Sequence, residues 1–307
     1  MIPPTSIDGT DITGATIDGT DVTEITVDGD VVFSAGPTPT EFAYLSGQGP
    51  DNYIYRDTTG AGDWDFSNDF REFTNAPSFG SIVIGIYIVP DVNDKRFFVI
   101  QTVGGDKEIQ EFSYTNLDMT SITQITTHNF INGSFGRQGS GVEFSADGKT
   151  AFFTLDLDGA GDEVEVWTLS TAFDLSASSR VSNTTVGGFD VAGGHMGPII
   201  FNTEGTRVYH GTRSENHVAQ YDLSTPFDLS TKGSASRFTT PENDPLCILF
   251  NADGSVLFTY HHSPNMVDKH TLGTPFDITT VQNTTEVKSD APDSSSGFMH
   301  SFPMRQF

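Results

Sequence analysis

Cysteine and basic residues are scarce in this chain of 307 residues. Because Cys247 is the single cysteine, a disulfide framework is excluded, and its place in the apolar run PLCILF predicts a small buried side chain. Only 15 Lys and Arg residues stand against 41 Asp and Glu residues, which gives a formal net charge of −26. Such a charge repels phosphate backbones and anionic lipids, so we expect neither nucleic acid nor a membrane as a partner.

Long apolar segments are also missing. The longest one, at residues 81–89, has about half the length that a membrane span requires. The first ten residues have neither the basic nor the apolar region of a secretory signal peptide, so we expect synthesis in the cytoplasm.

High acidity with only six lysines indicates adaptation to concentrated salt, and an ordinary acidic secreted domain is the alternative.

Short runs rich in Ile, Val, Phe and Thr, broken by Gly and Pro, predict strands throughout, and no stretch has a helical period. A phrase of one aromatic or aliphatic residue, Asp, a hydrophobic residue and Ser or Thr recurs about every fifty residues, with its aspartates at Asp65, Asp118, Asp174, Asp228 and Asp277. Upstream of four of them, a strand, an Asp-Gly type of turn and a second strand recur, as in GVEFSADGKTAFF. Four antiparallel strands in each repeat are typical of propeller blades.

The first repeat lacks its first strand, and the segment SGFMHSF at 296–302 resembles that missing strand. We therefore predict an all-β chain with a five-bladed β-propeller at residues 41–307 that is closed by the C-terminal strand; a β-sandwich is the alternative. Three ten-residue repeats begin at Ile7, Ile17 and Val27, each followed by Asp-Gly. They predict a small N-terminal β-meander within residues 1–35, joined to the propeller by a short linker at residues 36–40.

The phrase YDLSTPFDLST, with the strand pair before it, resembles a repeat of propeller-type virion proteins of tailed viruses. The IDGT copies and ITVDGDVVF resemble short N-terminal segments of virion tail and adhesion proteins. The resemblance implies a virion protein on a tail fibre, baseplate or capsid turret that binds a host-surface glycan or glycoprotein. Together with the acidic composition, it implies a halophilic archaeal host. The exposed strand edges of residues 1–35 predict anchoring to other virion proteins and a homo-oligomer; a local decoration packed on the propeller is the alternative.

The irregular segments of the repeats all fall at one end of the predicted blades, where loops on a rigid scaffold commonly carry recognition. Aromatic faces beside hydrogen-bonding groups suit a sugar. The predicted ligand-binding residues are Phe130, Phe135, Arg137, Phe189, His195, Arg213, Asn216, His261 and His262. Phe130 and Phe135 have an alternative interpretation, in which they plug the base of their loop.

Carboxylate oxygens for a hard cation such as calcium are offered by one acidic loop, which contains Asp156, Asp158, Asp162 and Glu163. A solvated acidic loop is the alternative, and no other cofactor is predicted.

A glycosidase needs two carboxylates across the scissile bond, whereas the predicted inner strands carry one acid, Glu143. We therefore expect no enzymatic activity. A purely structural capsid or baseplate decoration and a secreted lectin or glycosidase are the alternative functions.

Overall fold

The computed structural model describes the strands and most of their connections, at residues 16–17, 20–21, 24–27, 30–34, 42–46, 52–56, 70–72, 82–89, 95–103, 106–114, 122–129, 141–155, 162–191, 195–213, 215–251, 253–262, 265–288 and 298–302. The chain divides into two compact units, Met1–Thr40 and Glu41–Phe307. Among the described residues, no helix has the length and apolar character needed to cross a membrane.

The first unit contains four short strands, which are β1 (Thr16–Ile17), β2 (Thr20–Asp21), β3 (Glu24–Val27) and β4 (Asp30–Ser34). Strand β1 pairs with β2 and β3 pairs with β4, in two separate two-stranded antiparallel sheets. The register leaves two residues between the strands of each pair, Asp18-Gly19 and Asp28-Gly29, and Asp-Gly favours such short connections. The described residues of this unit thus form two separate strand pairs. The repeat at Ile7 lies outside the described residues, so the predicted meander of three repeats stays a prediction.

The second unit is built from antiparallel sheets of consecutive strands. Sheet 1 contains β5 (Phe42–Ser46), β6 (Asn52–Arg56) and β7 (Phe70–Glu72). Sheet 2 contains β8 (Ile82–Ile88), β9 (Arg96–Val103), β10 (Asp106–Tyr114) and β11 (Ile122–Asn129). Sheet 3 contains β12 (Val142–Phe144), β13 (Thr150–Leu155), β14 (Glu163–Leu169) and β15 (Arg180–Val186).

The C-terminal half of this unit continues the same order. Sheet 4 contains β16 (His195–Met196), β17 (Ile200–Phe201), β18 (Arg207–Arg213), β19 (His217–Asp222) and β20 (Ser236–Thr239). Sheet 5 contains β21 (Pro245–Phe250), β22 (Val256–His262), β23 (Asn265–Leu272) and β24 (Val281–Lys288). The last strand, β25 (Phe298–Phe302), pairs with β5 and so belongs to sheet 1.

The first strands of sheets 2, 3 and 5, strand β25 of sheet 1 and strand β18 of sheet 4 lie beside strands of other sheets. Strand β25 lies next to both β8 and β21, β8 lies next to β12, and β18 lies next to β21. Between sheets 3 and 4, the backbone N–H of Ile199 donates to Thr154 Oγ1 at 3.2 Å. The predicted all-β propeller arrangement is thus confirmed. Four sheets have four strands each, whereas sheet 4 has five because β16 and β17 both pair with β18.

One contact between a phenylalanine and a glycine recurs at the same end of sheets 3, 4 and 5. Phe173, Phe227 and Phe276 have φ angles of 55°, 58° and 57°, a left-handed conformation that is rare for residues with a side chain. Each donates its backbone N–H, at 2.8 Å, to the carbonyl oxygen of a glycine in the turn before β13, β18 or β22, respectively Gly148, Gly205 and Gly254. The aromatic ring then lies directly against that glycine.

The residues after each phenylalanine complete the turn. The side chains of Asp174, Asp228 and Asp277 accept a hydrogen bond from the backbone N–H two residues later, at 2.9, 3.0 and 3.0 Å. The hydrophobic residue that follows is buried in each case, namely Leu175, Leu229 and Ile278. Aspartate is favoured here because its carboxylate satisfies a backbone donor that the turn leaves unpaired. In sheets 3, 4 and 5 the repeated phrase of the sequence therefore encodes a structural turn, whereas Asp65 and Asp118 lie outside the described residues.

Aromatic and aliphatic side chains fill the space between neighbouring sheets. Tyr209 packs against Phe250 with ring centroids 4.7 Å apart, and Phe152 packs against Phe201 at 4.8 Å. Cys247 is 1% exposed within this core, as the sequence predicts. Fully burying side chains of this size contributes about 1.5–3 kcal/mol each. The contact between sheets is therefore mainly hydrophobic.

Arginines at the start of second strands add polar links between sheets. Arg207 Nη1 donates to the carbonyl oxygen of Phe276 at 2.9 Å, and Arg96 Nη1 donates to that of Phe173 at 3.3 Å. Arg96 also pairs with the buried Glu111 at 2.7 Å. Burial acts to raise the pKa of Glu111, but hydrogen bonds from His128 and Arg96 outweigh it and hold the pKa below its ordinary value. Each arginine thus joins its own sheet to the phenylalanine turn of another.

Substitution of Gly205 by alanine tests the phenylalanine contact. A Cβ at Gly205 meets the Phe227 ring at 2.2 Å, and the φ of +68° strains any side chain. We expect a loss of about 1–3 kcal/mol in the free energy of unfolding, measured by denaturant titration. Gly187→Ala is the matched control, because its Cβ has no neighbour closer than 3.6 Å. Equal stability of the two variants would contradict the assigned role of the contact.

Candidate functional site

The two ends of the sheets in the second unit differ in construction. At the turn end, defined by the Phe–Gly contacts around Gly148, Gly205 and Gly254, the same hydrogen bonds recur in three sheets. The opposite end, called the loop end, carries the connections between the second and third strands and those between successive sheets. These connections differ in length and sequence from sheet to sheet. Variable segments on a repeated framework are where a binding site is expected.

Several predicted site residues lie outside the described part of the chain. They are Phe130, Phe135, Arg137, Asp156 and Asp158. Their predicted roles therefore stay predictions.

Three of the other predicted binding residues meet at the loop end of sheet 4. His195 in β16 pairs directly with Arg213 at the end of β18. Asn216 follows in the connection from β18 to β19 and is exposed. The backbone carbonyl of Asn216 accepts from Thr240 N–H at 2.8 Å, which fixes this connection against the one that leaves sheet 4. His262 lies at the loop end of the neighbouring sheet 5, where it pairs with Asn265.

Phe189 is not the exposed aromatic platform that the sequence predicts. It is 8% exposed, and its ring packs edge-on against His210 and Tyr221 at centroid distances of 5.9 and 5.6 Å. The Lys232 ammonium lies 5.0 Å from the centroid of the same ring. The connection from sheet 3 to sheet 4 folds back onto sheet 4 and buries this side chain, so Phe189 is corrected to a packing residue.

Polar contacts hold this connection in place. Lys232 Nζ donates to Gly187 O at 2.7 Å, and Asp190 N–H donates to the Tyr221 hydroxyl at 2.5 Å. The Asp190 carboxylate accepts two hydrogen bonds from the Arg237 guanidinium, which lower the pKa of the Asp190 carboxyl below its ordinary value. Sequence reasoning missed this pair because its members are 47 residues apart and neither belongs to a motif.

Two histidines lie beneath this connection. His210 is fully buried, and its Nδ1 lies 2.9 Å from Gly211 O, so this nitrogen carries the proton and donates. Burial lowers the pKa of His210 to about 4, so the imidazole is neutral near pH 7. His217 Nδ1 lies 2.9 Å from the Glu215 carboxylate and its Nε2 lies 3.4 Å from Asp190 O. Both histidines therefore support the connection from inside.

His261 is also buried rather than exposed at the loop end, so the predicted ligand-binding role is corrected. Its exposure is 0%, and its Nδ1 donates to Asn243 O at 2.9 Å. The Thr259 hydroxyl lies 2.8 Å from His261 Nε2 and 2.9 Å from His270 Nε2. Since a hydroxyl has one proton, Thr259 donates to one imidazole and accepts from the other. His261 thus belongs to an internal hydrogen-bond network of sheet 5.

A carboxylate lies beside this network. Asp268 is 2% exposed, and its Oδ2 lies 3.4 Å from His261 Nε2. Within the described residues this oxygen has no hydrogen-bond partner. Burial lowers the pKa of His270 to about 4, which keeps this imidazole neutral near pH 7. The group is closed to solvent and offers no accessible ligand position.

The acidic loop gives no cation site in the described part of the chain. Asp162 is 5% exposed, and its Oδ2 accepts the backbone N–H of Met196 at 2.6 Å, so it serves as a structural link to sheet 4. Glu163 is half-buried at the start of β14. No cluster of three or more His, Cys, Asp or Glu side chains suited to a metal occurs among the described residues. The predicted cation site stays a prediction, because Asp156 and Asp158 lie outside the described residues.

No protein-family model matches the chain, and no curated protein matches it either. Solved structures with a similar fold include one in a nidogen/laminin complex, with 9% identity, a TM-score of 0.52, and 86% of this chain and 99% of that chain covered. The periplasmic gluconolactonase of Pseudomonas aeruginosa has 13% identity, a TM-score of 0.48 and coverage of 80% and 68%. A candidate 6-phosphogluconolactonase of Bacteroides fragilis has 12% identity, a TM-score of 0.47 and coverage of 86% and 98%.

These names bear on the expectation about catalysis. The prediction that the protein has no enzymatic activity is contradicted, because two of the similar structures carry the names of lactonases. At identities of 9–13%, however, the likeness concerns the fold alone. No reaction, substrate or catalytic residue is therefore transferred to this chain.

Loss of the carboxylate at position 190 tests how the connection between sheets 3 and 4 is held. In Asp190→Asn we expect faster amide hydrogen exchange at residues 187–191 and a loss of about 1 kcal/mol in unfolding free energy. The control is Asp222→Asn, which removes the carboxylate that pairs with Arg207. Because the Asp222 side chain is 74% exposed, we expect almost no change in the free energy of unfolding. Unchanged exchange at residues 187–191 would show that the Asp190–Arg237 pair is not needed to hold the connection.

The buried histidines predict a pH dependence of stability. Below about pH 6.5, histidines of the unfolded chain bind protons that native His210 and His270 exclude until about pH 4. The unfolded state then binds more protons than the native state, so the free energy of unfolding decreases as the pH falls through this window. In His270→Gln, we expect the slope to decrease by up to about 1.4 kcal/mol per pH unit. Urea titrations from pH 7 to 4.5 measure the slope of the free energy of unfolding against pH. An unchanged slope in the variant would contradict the prediction.

Proposed function

We propose that this protein is a virion surface protein of a tailed virus with a halophilic host, and that its loop end binds a host-surface glycan or glycoprotein. The observation that carries the proposal is the asymmetry of the propeller. The turn end repeats one hydrogen-bonded turn, whereas the loop end carries connections that differ in every sheet. A scaffold of this kind leaves one end free to vary without loss of the fold.

The ring that displays these loops is proposed to have five blades. Sheets 1 to 5 are the blades, and β25 closes the ring by pairing with β5. The contacts of β25 with β8 and β21 support this count, because one strand bridges the last and the second sheet. Sheet 4 acts as a blade in spite of its fifth strand, since β16 and β17 share the position of one inner strand beside β18.

The corner of sheet 4 that holds His195, Arg213 and Asn216 is the proposed centre of binding. Guanidinium, amide and imidazole groups donate hydrogen bonds, and sugar hydroxyls accept and donate them. The fixed connections around this corner favour binding, because few backbone segments then lose freedom when a ligand is bound. Because Phe189 is buried, we assign stacking on the sugar face to aromatic residues other than Phe189.

The N-terminal unit is proposed to dock the protein to other virion proteins and to copies of itself. Its two hairpins are short, and isolated two-stranded sheets are marginally stable in water. Pairing of their free edges with a partner strand adds backbone hydrogen bonds that the isolated hairpins lack. The net charge of −26 supports a salt-rich habitat, where screening reduces the self-repulsion of the chain.

Binding to host cells tests the proposal. The full-length protein is added to cells in concentrated salt, with and without enzymatic removal of surface glycans. We expect saturable binding that is lost on glycan removal, and a decrease in affinity on the order of tenfold for Arg213→Ala and Asn216→Ala. Lys149→Ala is the control, because Lys149 is an exposed cation at the turn end. Absence of binding by a chain that still forms oligomers would instead favour a structural capsid or baseplate component.

A further inference from the structure

Two exposed asparagines lie on the outer strands of different sheets and share a tripeptide pattern. Asn183 in β15 is followed by Thr184-Thr185, and Asn283 in β24 is followed by Thr284-Thr285. Asn followed by any residue except Pro and then by Ser or Thr is the acceptor pattern for N-linked glycans. A third copy at Asn132 lies outside the described residues.

The side chains of both patterns are accessible. Asn183 and Thr185 are exposed, and so are Asn283 and Thr285. Because side chains two residues apart in a strand lie on the same face, each threonine hydroxyl is on the side of its asparagine. In the second pattern the two side chains meet, as Asn283 Nδ2 donates to Thr285 Oγ1 at 3.4 Å. An enzyme that binds both the asparagine amide and the threonine hydroxyl can therefore approach them from one side of the strand.

The place of these strands in their sheets also leaves room for a bulky modification. Strands β15 and β24 are the last strands of sheets 3 and 5, so one edge of each has no partner strand in the described part of the chain. The Asn183 side-chain amide donates to Glu165 Oε1 at 3.2 Å at the surface. A sugar on Nδ2 would replace an exposed contact without opening the core.

We propose that Asn183 and Asn283 are attachment sites for N-linked oligosaccharides on the outer strands. In this transfer, Asn Nδ2 forms a bond to the anomeric carbon of an oligosaccharide carried on a lipid phosphate. The bond from that carbon to the phosphate oxygen breaks, the lipid phosphate leaves with the electron pair, and the amide loses one proton to a base of the transferase. Both the activated donor and the transferase come from the cell.

A glycan at these positions has a physical consequence for the sheet edges. An unpaired edge strand is a template for pairing with another chain, and a bulky hydrated group beside it blocks the approach. The inference does not depend on the binding function proposed for the loop end, because both asparagines lie in the outer strands.

Peptide mapping by mass spectrometry of the full-length protein from its natural source tests the proposal. We expect the peptides with Asn183 and Asn283 to carry sugar masses and to contain Asp at these positions after amidase release. Asn216 is the internal control, because it is exposed but is followed by His217-Val218. Its peptide is expected to be unmodified. Unmodified peptides for Asn183 and Asn283, in material where other proteins carry N-linked glycans, would overturn the proposal.

Substitutions of Thr185 provide a second and sharper readout. Thr185→Val removes the hydroxyl and keeps a β-branched side chain, so we expect loss of sugar at Asn183 alone, with Asn283 unaffected. Thr185→Ser keeps the hydroxyl, and we expect the modification to remain. Circular dichroism melts of both variants check that the fold is retained. Sugar that persists on Asn183 in Thr185→Val would overturn the assignment of this site.

Discussion

A phenylalanine ring resting on a glycine, both in the left-handed backbone conformation, is the interaction on which the repeated architecture depends. The left-handed conformation costs a phenylalanine of the order of 1–3 kcal/mol, so the surrounding contacts must offset it. They consist of the hydrogen bond to the glycine carbonyl, the ring packed where a Cβ would otherwise lie, and the aspartate that caps the next turn. Because the glycine belongs to the first hairpin and the phenylalanine to the second, this contact fixes the two halves of sheets 3, 4 and 5 against each other.

Buried polar side chains of the sheets form internal hydrogen bonds that hold the connections in place. Buried imidazoles, hydroxyls and carboxylates must find partners within the protein, since water cannot reach them. His210 and Tyr221 form a base on which the connection from sheet 3 lies, and Asp190 and Arg237 fasten that connection from the solvent side. Inside sheet 5, Thr259 joins His261 to His270. These groups therefore position the loop end of sheet 4, where the proposed binding residues gather.

The two ends of the sheets are under different structural constraints. Turn-end residues are constrained by φ angles and close contacts, whereas the loop-end connections meet only the condition that their backbone groups stay paired. A propeller architecture by itself does not fix a function.

By itself, the sequence determined the strand content, the repeat, the propeller arrangement and the burial of Cys247. All of these follow from local pattern: Asp-Gly and the phrase around Phe227 act within a few residues, and hydrophobic periodicity marks the strands. Only the tertiary structure decided that Phe189 and His261 are buried, that Asp162 is bound to a backbone amide, and that sheet 4 has a divided inner strand. These outcomes depend on contacts between segments far apart in the chain, such as Asp162 and Met196, which are 34 positions apart. No local pattern encodes which distant partner a side chain meets.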